Sequence, residues 1–267
     1  MAFISKEDYD EGTCLQCKIK SSGGIDIQRM LERLDTYLGK RDYANAERHL
    51  QYWLGEARAL NDGRGETAVL NEQMGLYRKI GKKQEALAAV DSAMKTAEGT
   101  STVTATTFLN AATVYKAFDM PEKALPLYRK AQSIYEAELE PDDTRLAGLY
   151  NNMALSLTSL GQFKEAYYCY EKALVIMRKD EKGKLECAIT LLNIAETAEE
   201  EKGLEAAEGY ITEKLNEAYA LIDSPDVARD GYYAFVCEKC AGVFGYHGFF
   251  AREKELCERA EKIYEGN

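Results

Sequence analysis

Two cysteine pairs are the residues of this sequence with the clearest capacity for metal or redox chemistry. Cys14 is followed three positions later by Cys17, and Cys237 by Cys240. Four thiolates in two such pairs can ligate one zinc ion. The second pair falls at core positions of a helix, where a cysteine packs as a small hydrophobic residue. The sequence therefore leaves Cys14 and Cys17 as weak metal candidates and predicts no cofactor.

Other groups that could support catalysis lie outside recognisable motifs. The sequence has two histidines, the side chains best suited to proton transfer near neutral pH. We expect His49 at the surface or rim of a helix and His247 in a turn. The glycines of residues 61–65 follow no strand, so they predict a turn between repeats instead of a phosphate loop. Glu199 to Glu201 point in different directions on a helix and are expected to face solvent. The sequence predicts a protein that is not an enzyme.

Amphipathic helices make up most of the sequence. In the clearest copy of the pattern, one helix face follows the spacing i, i+3, i+4, i+7, at Tyr150, Met153, Ala154 and Leu157. Gly161 then ends the helix, since glycine tolerates the left-handed conformation. A second helix repeats the spacing at Ala166, Tyr170, Ala173 and Leu174. One copy of the pattern is therefore a helix hairpin.

Six such copies follow one another along the chain. The core position that opens the second helix recurs at spacings of 40, 38, 42, 41 and 46 residues, as Ala46, Ala86, Ala124, Ala166, Ala207 and Glu253. A glutamate in the last copy is expected where a terminal repeat meets water. We predict a short tail over residues 1–24 and one elongated domain over 25–267, with repeats near 25–62, 63–100, 101–141, 142–181, 182–225 and 226–267.

At these positions the chain resembles the tetratricopeptide repeat superfamily. The family's bulky, small, turn and aromatic residues correspond to Tyr150, Ala154, Leu157, Gly161, Ala166, Tyr170 and Ala173. The family period is about 34 residues, and the longer repeats here are similar to the variant of about 42 residues found in kinesin light chains. The resemblance covers roughly residues 25–265. It implies an all-α fold, a right-handed α–α superhelix whose first helices line a concave groove.

Composition restricts the partners and the compartment. The formal net charge is −11, from 45 acidic and 34 basic side chains, which disfavours binding to nucleic acid or to an anionic membrane. No apolar stretch is long enough to span a bilayer, and the first residues lack the features of a secretory signal. Seven cysteines, an odd number, fit reduced thiols better than a disulfide framework. We expect a cytoplasmic protein.

The resemblance also transfers ligand-contacting positions to the first helices. These are Asn71, Arg78, Lys79, Asn110, Thr113, Lys116, Asn151, Asn152, Leu155, Ser159, Asn193, Glu196 and Glu199. Asn110, Asn152 and Asn193 recur at spacings of 42 and 41. An asparagine side chain is both donor and acceptor, so such a series could bind the backbone of an extended peptide. The alternative is that each asparagine only hydrogen-bonds a neighbouring helix.

Charge is distributed unevenly over these positions. Arg78, Lys79 and Lys116 make one end of the predicted groove basic, whereas Glu196, Glu199 and Glu200 make the other end acidic. A peptide of the opposite polarity would be steered into one direction.

Aromatic residues are concentrated in the last repeat, between Gly231 and Phe250. The repeat pattern assigns Phe244 and Phe250 to the core. The remaining rings, a candidate docking patch, are Tyr232, Tyr233, Phe235, Tyr246 and Phe249. Two interpretations stay open: the rings close the end of the stack as a cap, or they form an interface for a ligand or for a second copy of the chain.

The sequence as a whole predicts a scaffold that binds a protein or an extended peptide in its groove. An alternative is a peptide-sensing regulator, which would need a separate output protein because residues 1–24 are too short for a helix-turn-helix domain. A third interpretation, a zinc- or thiol-dependent protein, depends on the cysteine pairs alone.

Overall fold

A computed structural model describes residues 23–97, 99–180 and 182–266. These residues form twelve α-helices and no strand. The helices are α1 (Ile27–Gly39), α2 (Tyr43–Ala59), α3 (Gly63–Lys79), α4 (Lys83–Thr96), α5 (Thr102–Ala117), α6 (Pro121–Glu138), α7 (Thr144–Ser159), α8 (Phe163–Met177), α9 (Lys184–Lys202), α10 (Leu204–Ile222), α11 (Gly231–Tyr246) and α12 (Phe250–Glu265). Each odd-numbered helix packs against the next helix in the chain. The prediction of an all-α fold of six helix hairpins is confirmed.

The helices belong to two compact units, which meet in the chain between Leu139 and Glu140. Unit 1 contains α1 to α6, and its helix α3 packs against α2, α4 and α5. Unit 2 contains α7 to α12, and its helix α9 packs against α7, α8, α10 and α11. Within each unit the first helix of the middle hairpin therefore contacts both neighbouring hairpins. The single elongated domain stays a prediction.

Alanine near the start of the second helix allows the two helices of a hairpin to approach closely in the first five hairpins. The predicted alanines at this position are all buried, at Ala46, Ala86, Ala124, Ala166 and Ala207. In the last hairpin the position is Glu253, which is half-buried. Its carboxylate occupies the space that a Cβ atom on Gly245 would need. The glutamate thus packs on a glycine, and only part of it meets water.

Every hairpin turn contains one residue with positive φ. These residues are Arg41 (54°), Gly81 (71°), Asp119 (58°), Gly161 (68°), Gly203 (80°) and Gly248 (82°). The left-handed conformation is accessible to glycine without steric cost, and it strains residues that carry a Cβ atom. The prediction that Gly161 ends the first helix of its hairpin is confirmed.

Side-chain caps fix where several helices begin. Asp26, Asp42, Asp62 and Asp230 each accept a backbone N–H of the first turn of the helix that follows. These bonds satisfy amide groups that have no partner inside the helix. Asp62 also accepts the backbone N–H of Ile25 at 2.9 Å. The predicted turn at 61–65 is shorter than expected, because α3 already begins at Gly63.

Candidate functional site

An asparagine pair joins two first helices of unit 1. Asn110 on α5 donates a hydrogen bond from Nδ2 to Oδ1 of Asn71 on α3, at 3.0 Å. Asn71 is fully buried and donates to the Thr67 carbonyl and to Oγ1 of Thr107, both at 3.0 Å. The sequence placed Asn71 at the groove surface, and this placement is wrong. Asn71 instead holds the amide of the half-buried Asn110 in one orientation.

A second asparagine pair in unit 2 has the same hydrogen-bond direction, but here the donor is the buried residue and the acceptor the half-buried one. Asn193 on α9 donates from Nδ2 to Oδ1 of Asn151 on α7, at 3.0 Å. Asn193 is 7% exposed and Asn151 is half-buried. Asn152 differs from both, because its Nδ2 donates to the Gly148 carbonyl of its own helix at 3.0 Å. Asn110 and Asn193 therefore share a bonding pattern that the third member of the predicted series lacks.

The predicted basic residues of unit 1 point in different directions. Arg78 is half-buried near the hydroxyl of Tyr128, and burial lowers the pKa of its guanidinium below the ordinary value. Lys79 is exposed, and its Nζ lies 5.8 Å from the ring centroid of Tyr43 on α2. Lys116 is half-buried on α5. Of the two neighbouring cations on α3, Arg78 is the one beside α6, whereas Lys79 lies against the preceding hairpin.

Thr113 faces the second helix of its own hairpin. Its Oγ1 donates to the Leu109 carbonyl at 2.8 Å and lies 3.2 Å from the hydroxyl of Tyr128 on α6. Burial raises the pKa of Tyr128 far above the ordinary value, so this hydroxyl stays protonated.

On α7, Leu155 is half-buried and the exposed Ser159 donates to the Leu155 carbonyl at 3.1 Å.

The acidic residues of α9 surround a contact with α11. Glu199 accepts a hydrogen bond from the hydroxyl of Tyr246, with 2.6 Å between Oε1 and the phenol oxygen. This bond raises the pKa of Tyr246. Glu196 and Glu200 are exposed. The predicted divergence of Glu199 to Glu201 is confirmed, since Glu201 instead accepts from Tyr167 at 3.2 Å. The expectation that all three face solvent is wrong for Glu199, which is half-buried against α11.

His247 lies beside the same carboxylate. Its side chain is 3% exposed, and its Nε2 is 3.8 Å from Oε2 of Glu199, which is too long for a hydrogen bond. Nε2 has no hydrogen-bond partner within the described ranges. The imidazole meets the ring of Tyr246 edge to face, with 4.9 Å between centroids. Burial lowers the pKa of His247, against a smaller opposing effect from Glu199.

Three rings of the predicted aromatic patch are packed into unit 2. Tyr233 is 1% exposed and its hydroxyl accepts from Nη1 of Arg259 at 2.9 Å, so its assignment to an exposed patch is wrong. Tyr232 is half-buried and stacks on Phe235, with 6.1 Å between ring centroids. Phe249 is half-buried beneath the guanidinium of Arg252, which lies 4.9 Å from its centroid.

The remaining large rings of this hairpin are exposed. Tyr246 is 70% exposed and Phe235 is 42% exposed. Phe244 is fully buried, as predicted, but Phe250 is 69% exposed, and its assignment to the core is wrong. Phe250 is the first residue of α12, and among the described residues no later hairpin packs against it. The last hairpin is thus partly a cap and partly an aromatic surface.

Four of the five described thiols are packed as core residues. Cys169, Cys187, Cys237 and Cys240 are buried, and Cys257 is exposed. Burial raises the pKa of Cys187 to about 11 and that of Cys240 to about 12. The prediction that Cys237 and Cys240 serve packing is confirmed. Cys14 and Cys17 lie outside the described residues.

Two general properties of the described chain bear on function. In this part of the chain, no three histidine, cysteine or acidic side chains come together as metal ligands would. Within the described ranges, no helix combines the length and apolar composition that crossing a bilayer requires.

His49, on α2, is half-buried, and its Nε2 lies 2.9 Å from the Met30 carbonyl.

Sequence reasoning missed the partners in both units. It noticed Asn110 and Asn193 as members of a series, but not that each bonds an asparagine 39 or 42 residues earlier. It named Glu199 and Tyr246 separately, although they are hydrogen-bonded. One feature of the sequence could have indicated these partners. In the preceding first helix an asparagine, Asn71 or Asn151, lies one position before the place where the repeating asparagine is expected.

Known proteins share the repeat and the fold. The model of the tetratricopeptide repeat family matches residues 145–216. A solved structure of kinesin light chain TPR-like repeats from Podosopora anserina is 18% identical, with a TM-score of 0.50, over 73% of this chain and 92% of that chain. BtubC (BKLC) from P. vanneervenii is 15% identical, with a TM-score of 0.49, over 91% and 92%. A tetratricopeptide repeat protein from Parabacteroides merdae is 19% identical, with a TM-score of 0.43, over 89% and 93%. No curated protein matches the sequence significantly.

Proposed function

We propose that this chain, whose residues 145–216 match the tetratricopeptide repeat family and whose fold is similar to that of kinesin light chain TPR-like repeats, is a non-enzymatic interaction scaffold. Its ligand is an extended peptide segment of a partner protein. Within each unit, a peptide segment binds along the first helices of the hairpins: on α3 and α5 in unit 1, and separately on α7, α9 and α11 in unit 2.

The oriented asparagine pairs carry this proposal. Asn110 and Asn193 each use one amide hydrogen to bond an asparagine on the preceding first helix. Each then retains a second N–H and its own Oδ1 oxygen. A peptide backbone offers one donor and one acceptor per residue, which match these two groups. Because the pair fixes the amide before the ligand arrives, little rotamer entropy is lost on binding.

Charged side chains would select among peptides. In unit 1, Arg78 is a half-buried cation, and a guanidinium in a partly desolvated position favours a carboxylate. In unit 2, Glu196, Glu199 and Glu200 concentrate negative charge on α9. We propose that unit 1 accepts acidic residues of the partner and unit 2 accepts basic ones.

The reactive groups of the described chain support a non-enzymatic role. The raised pKa of Cys187 and of Cys240 keeps these thiols protonated near neutral pH, and the thiolate is the reactive form. Nε2 of His49 is hydrogen-bonded to the Met30 carbonyl. Free, buried cysteines also agree with a reducing compartment, and we propose that the protein is cytoplasmic.

Selection from a library of random linear peptides, displayed on phage against the full chain, tests the function. The recovered peptides should bind the wild type and lose about tenfold or more in affinity for the double variant N110A/N193A, since it removes two backbone-binding groups. N216A is the matched control, because Asn216 is exposed on the second helix α10. Failure to recover any peptide, or equal binding by both variants, would reject the proposal. Adding N152A should change little further, because Asn152 bonds only its own helix.

The homodimer that the sequence suggests would use the aromatic surface of the last hairpin. Phe235 and Phe250 are the exposed apolar rings there. Sedimentation at several concentrations tests it: a dimer should dissociate in the variant F235A/F250A, and a monomer at all concentrations would remove this partner.

A further inference from the structure

Glu199, Tyr246 and His247 converge at the carboxyl ends of two neighbouring first helices. Glu199 lies in the last turn of α9, Tyr246 is the last residue of α11, and His247 caps α11. The carboxylate of Glu199 uses Oε1 to accept from Tyr246 and directs Oε2 toward His247. The three side chains come from unit 2, and those of Tyr246 and His247 lie beside the carboxylate of Glu199.

His247 gives this cluster an unused polar atom. The side chain is 97% enclosed, counted from its 3% exposure, and Nε2 has no hydrogen-bond partner in the described chain. An enclosed polar atom without a partner is destabilising, so a ligand that supplies a donor there would be bound favourably. Because burial keeps this imidazole neutral, Nε2 is an acceptor when the ring proton is on Nδ1.

The surroundings favour a positively charged donor. The partial negative charges at the ends of α9 and α11 attract cations, and Glu196 and Glu200 lie on the same helix as Glu199. Glu253 on α12 contributes a further carboxylate against Gly245. The nearby cation Lys202 is engaged elsewhere, 3.7 Å from Glu201 and 6.0 Å from the ring of Tyr210.

We infer that Glu199, Tyr246 and His247 form a subsite for one lysine side chain of the bound peptide. An ammonium group has three donors and no acceptor. One donor bonds Oε2 of Glu199, a second bonds Nε2 of His247, and the charge lies against the exposed ring of Tyr246. With Oε2 and Nε2 at 3.8 Å, an ammonium nitrogen about 2.9 Å from both would subtend roughly 80°.

The hydroxyl of Tyr246 prepares the site. Its charge-assisted bond to Glu199 holds a ring that is otherwise 70% exposed. The same bond fixes the carboxylate, so that Oε2 stays beside His247. This subsite rests on the proposed function for its biological ligand, but the chemistry of its three side chains can be tested with a single amino acid.

N-acetyl-lysine N-methylamide is the probe, and the imidazole resonances of the full-length protein are the readout. The chain has two histidines, and His49 lies in unit 1 as an internal control. We expect a saturable shift of the His247 resonance and none of His49. The uncharged probe N-acetyl-norleucine N-methylamide should leave both unmoved. If the His247 resonance does not move, or if both probes shift it equally, the inference is overturned.

Variants separate the subsite from general charge. E199Q should weaken the lysine response about tenfold or more, because hydrogen bonds to charged groups are the strong ones. E200Q makes the same charge change at the exposed neighbour and should have no comparable effect. Y246F keeps the ring but removes the tether and should weaken the response less than E199Q; it also serves if E199Q does not fold. Equal loss in E199Q and E200Q would contradict the subsite.

The outcomes for the subsite and for the scaffold are distinguishable. If library peptides bind but show no preference for lysine and are indifferent to E199Q, the subsite fails and the scaffold stands. If no peptide is recovered but the lysine probe moves His247 in an E199-dependent way, the subsite stands and the peptide scaffold fails.

Discussion

Asn110 donates a hydrogen bond to Asn71 across 3.0 Å, and Asn71 has no exposed surface. This bond connects α5 to α3 through two amides, one enclosed and one half-buried. Nδ2 of Asn71 itself donates to the Thr67 carbonyl and to Oγ1 of Thr107. The half-buried amide therefore depends on the enclosed one for its orientation, and a defect in either residue should affect both stability and ligand binding.

A double-mutant cycle measures this dependence. N71A leaves Asn110 and Thr107 without their buried partner and should lower the free energy of unfolding by about 1–3 kcal/mol. N110A should cost less, and the two effects should be non-additive by about 1 kcal/mol, because the residues are in contact. Urea unfolding followed by circular dichroism gives the values. N216A should stay within about 0.5 kcal/mol of the wild type. Strict additivity would show that the bond contributes nothing.

The hairpin turns predict opposite effects for one type of substitution. Gly161 has a φ of 68°, and G161A should destabilise by about 1–2 kcal/mol because alanine strains in this conformation. Gly209 lies exposed within α10 and a Cβ there meets no atom within 4 Å. G209A should stabilise by about 0.5–1 kcal/mol, since glycine weakens a helix interior. Both can be measured by chemical denaturation, and changes of the same sign would contradict the turn geometry.

Burial of the two histidines predicts a pH dependence of stability. Burial lowers the pKa of His247 and of His49 below the ordinary value of 6.5. As pH falls through 6.5 the unfolded chain therefore binds more protons than the folded chain, and the free energy of unfolding falls until the folded-state pKa is passed. Their contribution is fully present above 6.5. Carboxyl groups with a lowered pKa, such as Asp226 at about 2, lose theirs only in more acidic solution.

Denaturation at several values between pH about 7.5 and about 5.5 tests this window. The double variant H49Q/H247Q should show a flatter dependence than the wild type. An unchanged slope would mean that the imidazoles are not shielded as the structure describes. Direct titration of the two imidazole resonances provides an independent check.

Thiol reactivity should follow burial. Cys257 is exposed and should be alkylated by iodoacetamide before the other described cysteines of the folded protein. Cys169, Cys187, Cys237 and Cys240 are buried, and they should react only after unfolding, since access and the thiolate fraction control the rate. Mass spectrometry of the digested protein assigns each site. Early modification of Cys240 would contradict the packing of α11.

Periodicity predicted the fold because burial follows the spacing along one helix. Ala86 and Ala166 could be placed in the core without knowledge of their neighbours, since any packed hairpin needs a small residue there. The same reasoning was wrong for Phe250 because its environment depends on what covers the end of the last hairpin. The prediction of an exposed ring was wrong for Tyr233 for a related reason, because its partner Arg259 lies 26 residues later, on α12.

The candidate site was only partly predictable. The asparagine positions could be recognised from their recurrence, but hydrogen-bond partners depend on how far one helix is rotated against the next. If α7 were turned about its axis by one residue, Asn152 would replace Asn151 as the acceptor of Asn193. The contact between Glu199 and His247 likewise combines two helices and a turn, which no single repeat contains.

Helices α3 and α9 contact the hairpins on both sides of them, and in α3 every residue from 67 to 77 is buried. Amide hydrogens in these two helices should exchange with deuterium only when their unit opens as a whole, whereas those of α1 and α12 exchange by local fraying. The two asparagine pairs join these same protected helices to a neighbour. Ligand binding at the pairs should therefore be detected as slower exchange in α5 and α7, where there is protection still to be gained.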